Sequence, residues 1–90
     1  MLNIHQSRAF KKDIKSIKKR SLNLDLLRQV IELLQSNHVL PKQFNDHKLI
    51  GNWHGYRECH LAPDWLLIYK QTPSELLLAR TGSHADLFKK

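Results

Sequence analysis

The chain reads as an α+β domain of order β-α-α-β-β-β-β, with two N-terminal helices packed on one face of a mainly antiparallel sheet. Three observations predict this. Apolar residues recur with a helical period in the first third of the chain. Beyond it they alternate or run together in short stretches. Turn formers such as Gly51, Gly55, Pro63, Pro73 and Gly82 bound those stretches. Helices early and strands later place the helices on one face, leaving the other face free. Ninety residues make one domain, 1–90.

Leu2, Ile4 and Gln6 alternate with Asn3, His5 and Ser7, as in a short first strand. Ser7 then caps a helix whose Phe10, Ile14 and Ile17 form one apolar stripe. Asn23 caps a second helix, with Asp25 in its first turn and a wide stripe of Leu24, Leu27, Ile31 and Leu34. A stripe that wide implies contact with both the first helix and a sheet. Gln35 to Asn45, with Pro41, reads as a loop. His47 to Ile50 is a short strand. After Gly55 another follows, in which Tyr56, Glu58 and His60 point one way and Arg57, Cys59 and Leu61 the other. Pro63 and Asp64 make a tight turn. Trp65 to Lys70 is almost wholly apolar, as a central strand covered on both faces would be. Glu75 to Thr81 is the last strand, and the tail from Ser83 makes at most one short helical turn.

Fifteen Lys and Arg against eight Asp and Glu give a net charge of +7. Residues 1–20 concentrate it, with Arg8, Lys11, Lys12, Lys15, Lys18, Lys19 and Arg20 facing only Asp13. Such a field favours a polyanion, either nucleic acid or an acidic protein segment. The plainer reading is a solvated helix face. Cys59 is the only cysteine, which excludes an internal disulfide. No apolar run approaches the ~20 residues needed to span a bilayer. The start lacks the pattern of a signal peptide. A cytoplasmic protein without membrane partners is therefore expected.

Six histidines are many for this length. His47, His54, His60 and His84 lie in the second half, interleaved with Asp46, Glu58, Asp64 and Asp86. An imidazole, with an unperturbed pKa of ~6.5, suits proton transfer near neutrality. RNA carries its own nucleophile, the 2′-OH. Cutting it takes a base for that proton, an acid for the leaving 5′-oxygen, and positive charge near the phosphate. Two histidines, or a histidine and a carboxylate, with Arg57 or Arg80, suffice without a metal or other cofactor. Taken singly, each of these residues has a duller role in a turn, a cap or a strand. Together, His60 and Asp64 flank one turn while His84 leaves the end of another strand, so a sheet could gather them at one edge. As metal ligands, His54, His60 and Asp64 are spaced by six and four, and no H-x-x-x-H pattern appears. No metal is expected. Most of the aromatics belong to a core, but Phe88 stands in a polar tail beside Lys89 and Lys90, where it could stack on a base.

The run DHKLIGNWHGYRECHLAPDWLLIYK, from Asp46 to Lys70, followed by ARTGSHADLF, from Ala79 to Phe88, closely resembles YafQ-type toxins. These are RelE/ParE-superfamily members of bacterial type II toxin–antitoxin pairs. With the Lys-rich helical start, the resemblance spans essentially the whole chain. It implies a RelE/ParE-like fold and a ribosome-dependent endoribonuclease that cuts mRNA in the A site of the 30S subunit. His47, His60, Asp64 and His84 match that family's residues for acid–base work and phosphate binding. Phe88 matches its C-terminal RNA-holding aromatic, and Arg80 falls where relatives often carry a phosphate-contacting arginine. The resemblance implies a cognate antitoxin, with the toxin monomeric alone and hetero-oligomeric in complex. The row Lys11, Lys12, Lys15, Lys18 and Lys19 on the first helix and the open sheet face are its expected docking surfaces. Three features depart from the family pattern: Lys48 where proline is usual, His54 in place of a lysine, and two lysines beyond Phe88.

Two other classes compete. A ParE-like gyrase poison shares the fold and basic helices but needs no histidine–carboxylate set. A non-catalytic RNA-binding module would tolerate loss of His60 or His84. The cluster from His47 to His84 favours the nuclease.

Overall fold

Ser7 ends the first strand and starts the first helix. Its extended backbone closes β1 (Asn3–Gln6), while its hydroxyl accepts a 2.9 Å hydrogen bond from the Phe10 N–H, capping α1 (Arg8–Lys19). The computed structural model describes residues 1–88. Asn23 caps α2 (Leu24–Gln35) in the same way, through the Leu26 N–H. A 3₁₀ turn at Lys42–Phe44 interrupts the stretch expected to be plain loop, because burying Leu40 and Phe44 pins it down. The strand expected over His47–Ile50 is shorter: β2 is only His47–Lys48, and a second 3₁₀ turn follows at Gly51–Trp53. β3 (Arg57–Ala62), β4 (Trp65–Gln71) and β5 (Glu75–Gly82) follow, and α3 (His84–Phe88) is the short turn of the tail. Lys89 and Lys90 lie outside the described residues.

The sheet has the order β1-β5-β4-β3-β2. All its pairings are antiparallel except β1 with β5, where Asn3–Gln6 run parallel to Glu75–Leu78. β4 is central, as its continuous apolar run predicts, and Trp65 to Tyr69 are all buried. Alternation sends Trp65, Leu67 and Tyr69 toward the helices, where they join Phe10, Ile17, Leu27, Val30 and Leu34. Each large side chain hidden this way contributes about 1.5–3 kcal/mol. The polar atoms among them are paired: the Trp65 indole donates to Thr81 Oγ1 at 2.9 Å, and that hydroxyl donates to the Leu66 carbonyl.

The opposite face is not free, contrary to expectation. The same alternation points Leu66 and Ile68 there, and both are fully buried with Ala79 and Leu87 under Leu49, Trp53, Tyr56 and Phe88. α3 and the Gly51–Tyr56 segment thus form a small second layer, which brings the histidine-rich segments together. Gly82 makes room for α3 to fold back on β5. Its φ is +156°, and a Cβ there would lie 2.9 Å from Asp86 Oδ2.

Candidate active site

On β3, Glu58 and His60 are two residues apart and share the face away from the main helices. β2 pairs His47 directly with Glu58. His47 Nε2 therefore stands 3.0 Å from Glu58 Oε2, and His60 Nε2 stands 3.4 Å from the same oxygen. The other nitrogen of His47 lies 2.8 Å from the Asn45 carbonyl. A carbonyl only accepts, so His47 donates from Nδ1, which turns Nε2 toward Glu58 Oε2. The Glu58 side chain is 8% exposed, and its Oε1 is buried without a hydrogen-bond partner. A buried carboxylate oxygen left unpaired is costly. Its presence beside two imidazoles marks a place arranged for chemistry.

The row continues across the sheet. The His47 and His60 rings are 5.8 Å apart, those of His60 and His84 5.9 Å, and those of His84 and Phe88 6.5 Å. His84 begins α3, and Asp64 lies in the β3–β4 turn beside it. Asp64 Oδ1 accepts from the His84 backbone N–H at 2.9 Å and lies 2.7 Å from His84 Nδ1. Those two bonds, the backbone one first, hold the Asp64 carboxyl below the usual carboxylate range. The carboxylate fixes the proton on Nδ1 and leaves Nε2 to face outward. Phe88 is half-buried at the far end, one face packed on the second apolar layer.

The four sequence candidates His47, His60, Asp64 and His84 are thus brought together with Phe88. The arginines are not. Arg57 alternates with Glu58 and His60 and turns to the helix side, where Nε donates to Asp46 at 3.1 Å. The Tyr69 hydroxyl donates to the same Asp46 oxygen at 2.6 Å. Arg80 follows Leu76 and Leu78 by alternation along β5, whose side chains join the helix-side core, and so reaches α1. There it holds both oxygens of Asp13, at 2.7 and 3.0 Å. Lys11, Lys12, Lys15, Lys18 and Lys19 are all exposed on α1, and none is ion-paired among the described residues.

Glu58 is the residue that the sequence reading left out of the site. The signal was there, in its shared strand face with His60. The metal-ligand spacing weighed in the sequence was His54, His60 and Asp64. The geometry instead groups His47, Glu58 and His60, whose ligand atoms lie within 4.8 Å of one another. Two imidazoles and a carboxylate with one idle oxygen suit a transition metal such as zinc or copper.

Comparison with known proteins adds a family. Residues 2–89 match the family described as a bacterial toxin of type II toxin–antitoxin systems, YafQ. The mRNA interferase toxin YafQ of Escherichia coli K12 is 44% identical over 87 residues, covering 96% of this chain and 95% of that protein. Among solved structures, the E. coli DinJ–YafQ complex is similar with a TM-score of 0.91 and 43% identity, covering 98% of this chain and 99% of that one. A metal-bound toxin from Helicobacter pylori is similar with a TM-score of 0.91 and 41% identity, covering 98% and 100%.

Proposed function

Because the chain belongs to the YafQ family of bacterial type II toxins, we propose that it is an endoribonuclease that cuts messenger RNA on the ribosome. The observation that carries this reading is the row His47–Glu58–His60–His84–Phe88, with Asp64 behind His84.

The row supplies each part the reaction needs. The pair formed by Glu58 and His60 takes the proton from the 2′-OH, whose oxygen attacks the adjacent phosphorus. The bond from phosphorus to the 5′-oxygen then breaks, and His84 Nε2 donates the proton that oxygen requires. A 2′,3′-cyclic phosphate and a 5′-hydroxyl result. Asp64, ionised and bonded to His84 Nδ1, keeps that ring in the orientation donation requires and stabilises its charged form. With Arg57 and Arg80 held by Asp46 and Asp13, the positive charge at the phosphate comes from protonated imidazoles. Phe88 offers a ring face on which a base of the message stacks.

A metal ion would be held by His47, Glu58 and His60, where it would supply a charge to offset the buried carboxylate. The acid–base route described above uses only side chains of this chain. The partners follow from the same reading: mRNA in the ribosomal A site, in the cytoplasm, and a cognate antitoxin, as the E. coli relative has in DinJ.

The test is a cell-free translation reaction with the purified protein, mapping new 5′-ends on the message by primer extension. Parallel reactions contain a chelator, the His84→Ala variant, or message without ribosomes. Cuts that need ribosomes, survive the chelator and vanish with His84→Ala are expected. No cutting by the folded wild-type protein overturns the proposal.

A further inference from the structure

β2 pairs with β3 only at Arg57 and Glu58, so from His60 onward the outer edge of β3 carries no strand. The 3₁₀ turn Lys42–Phe44 sits beside that bare edge. Between them lies an open cleft of about 420 Å³, within the ~300–1,000 Å³ typical of small-ligand pockets. One wall is Gln43, Phe44 and Asn45; the other is His60, Leu61 and Pro63. His60 belongs both to this cleft and to the histidine row, so the two are continuous.

The lining fits one kind of guest. Phe44, Leu61 and Pro63 give an apolar floor. Gln43 and Asn45 are exposed, and their carboxamides make no hydrogen bond among the described residues. The lining holds no Lys, Arg, Asp or Glu, so the cleft does not select a phosphate. Apolar walls with free carboxamides, each both donor and acceptor, match the flat face and polar edge of a nucleobase.

We propose that this cleft receives the base adjoining the scissile phosphate, and that Gln43 and Asn45 set which base is accepted there. The proposal rests on the nuclease reading above. A phosphate lying on the histidine row has its neighbouring base within reach of this cleft. Asn45 has a second reason to be where it is. Its left-handed φ of +45° turns its carbonyl toward His47 Nδ1, so one residue connects base selection with the catalytic row.

Gln43→Ala removes one carboxamide without touching the row. Asn45→Gly removes the other while keeping the left-handed backbone available. Each variant, confirmed folded by its melting curve, is added to ribosomes translating messages randomised around the cut. The base frequencies on either side of each cut are then counted. The expected result is a loss of preference at one flanking position of roughly five- to a hundredfold, the discrimination that a bidentate base contact provides. Unchanged base preference in both variants, whatever the total rate, overturns the proposal and leaves the nuclease reading standing. Absence of cutting by the wild-type protein removes both.

Discussion

Arg20, at the end of α1, grips both carboxylate oxygens of Asp86 in α3, at 2.6 and 3.1 Å. Asp86 also accepts from the Ser83 N–H, and Ser83 Oγ accepts from the Asp86 N–H, closing a reciprocal cap at the start of α3. The helix that carries His84 and Phe88 is only five residues long. It is too short to hold itself, so these contacts with Asp64 and Arg20 set where both side chains sit.

Asp86→Ala is therefore expected to loosen α3. A lost cap costs about 1 kcal/mol, which in a domain this size lowers the melting midpoint by roughly 4–8 °C. Cutting should fall further, by about ten- to a hundredfold, because misplacement by an ångström is that damaging to catalysis. A kcat equal to wild type would show that α3 does not position His84.

The same carboxylate makes a prediction about acid. The Arg20 guanidinium first, then the Ser83 N–H, hold the Asp86 carboxyl well below its usual range. A depressed folded value means that the stabilisation is fully present above the unfolded value of ~3.9 and is lost as pH falls through the folded one. The carboxyl and β-carbon signals of the Asp86 side chain should thus stay at their ionised positions from neutrality down to about pH 4, followed by heteronuclear NMR. Signals that move together with a midpoint near pH 5 would contradict the pairing.

Glu58→Gln keeps the shape of the side chain and removes its charge between His47 and His60. The loss expected for a group that moves a proton is about 10²- to 10⁴-fold in cleavage rate, with the melting midpoint little changed or higher. Single-turnover cutting alongside a thermal melt separates the two effects. Activity within threefold of wild type would take Glu58 out of the mechanism.

Reversing Lys11, Lys12 and Lys15 to Glu leaves the row of histidines untouched. All three side chains are exposed on α1 and free of ion pairs among the described residues. Affinity for the antitoxin, measured by titration calorimetry, should fall and lose most of its dependence on salt. Unchanged affinity would place the docking surface elsewhere.

Burial pushes the Cys59 thiol up to about 12. At pH 8 in native buffer, iodoacetamide should therefore leave it unmodified, while labelling in urea should be complete. Rapid native labelling, read by mass spectrometry, would show that β3 opens easily.

Much of this was legible in the residues and some was not. Ser7, Asn23 and the run Trp65–Lys70 announced their roles because caps and central strands are set by local pattern. His60 and Glu58 fell on one face by simple alternation. The meeting of His47 with Glu58 depends on the register of a two-residue strand, which no periodicity reveals. The arginines misled for a similar reason. Asp13 is 67 residues from Arg80, and no local pattern shows that they meet. The face expected to be open closes because Leu66 and Ile68 need cover, and the tail that supplies it is too short to show a pattern of its own.

The parallel pairing of β1 with β5 has a consequence for the moment of synthesis. The first strand waits for Glu75–Leu78, Asp13 for Arg80, and Arg20 for Asp86. A nascent chain that has emerged only as far as β3 can form its two helices, but it lacks both the strand that closes the sheet and the helix that carries His84 and Phe88. On the proposed function, the polypeptide becomes able to cut only once nearly all of it has left the tunnel.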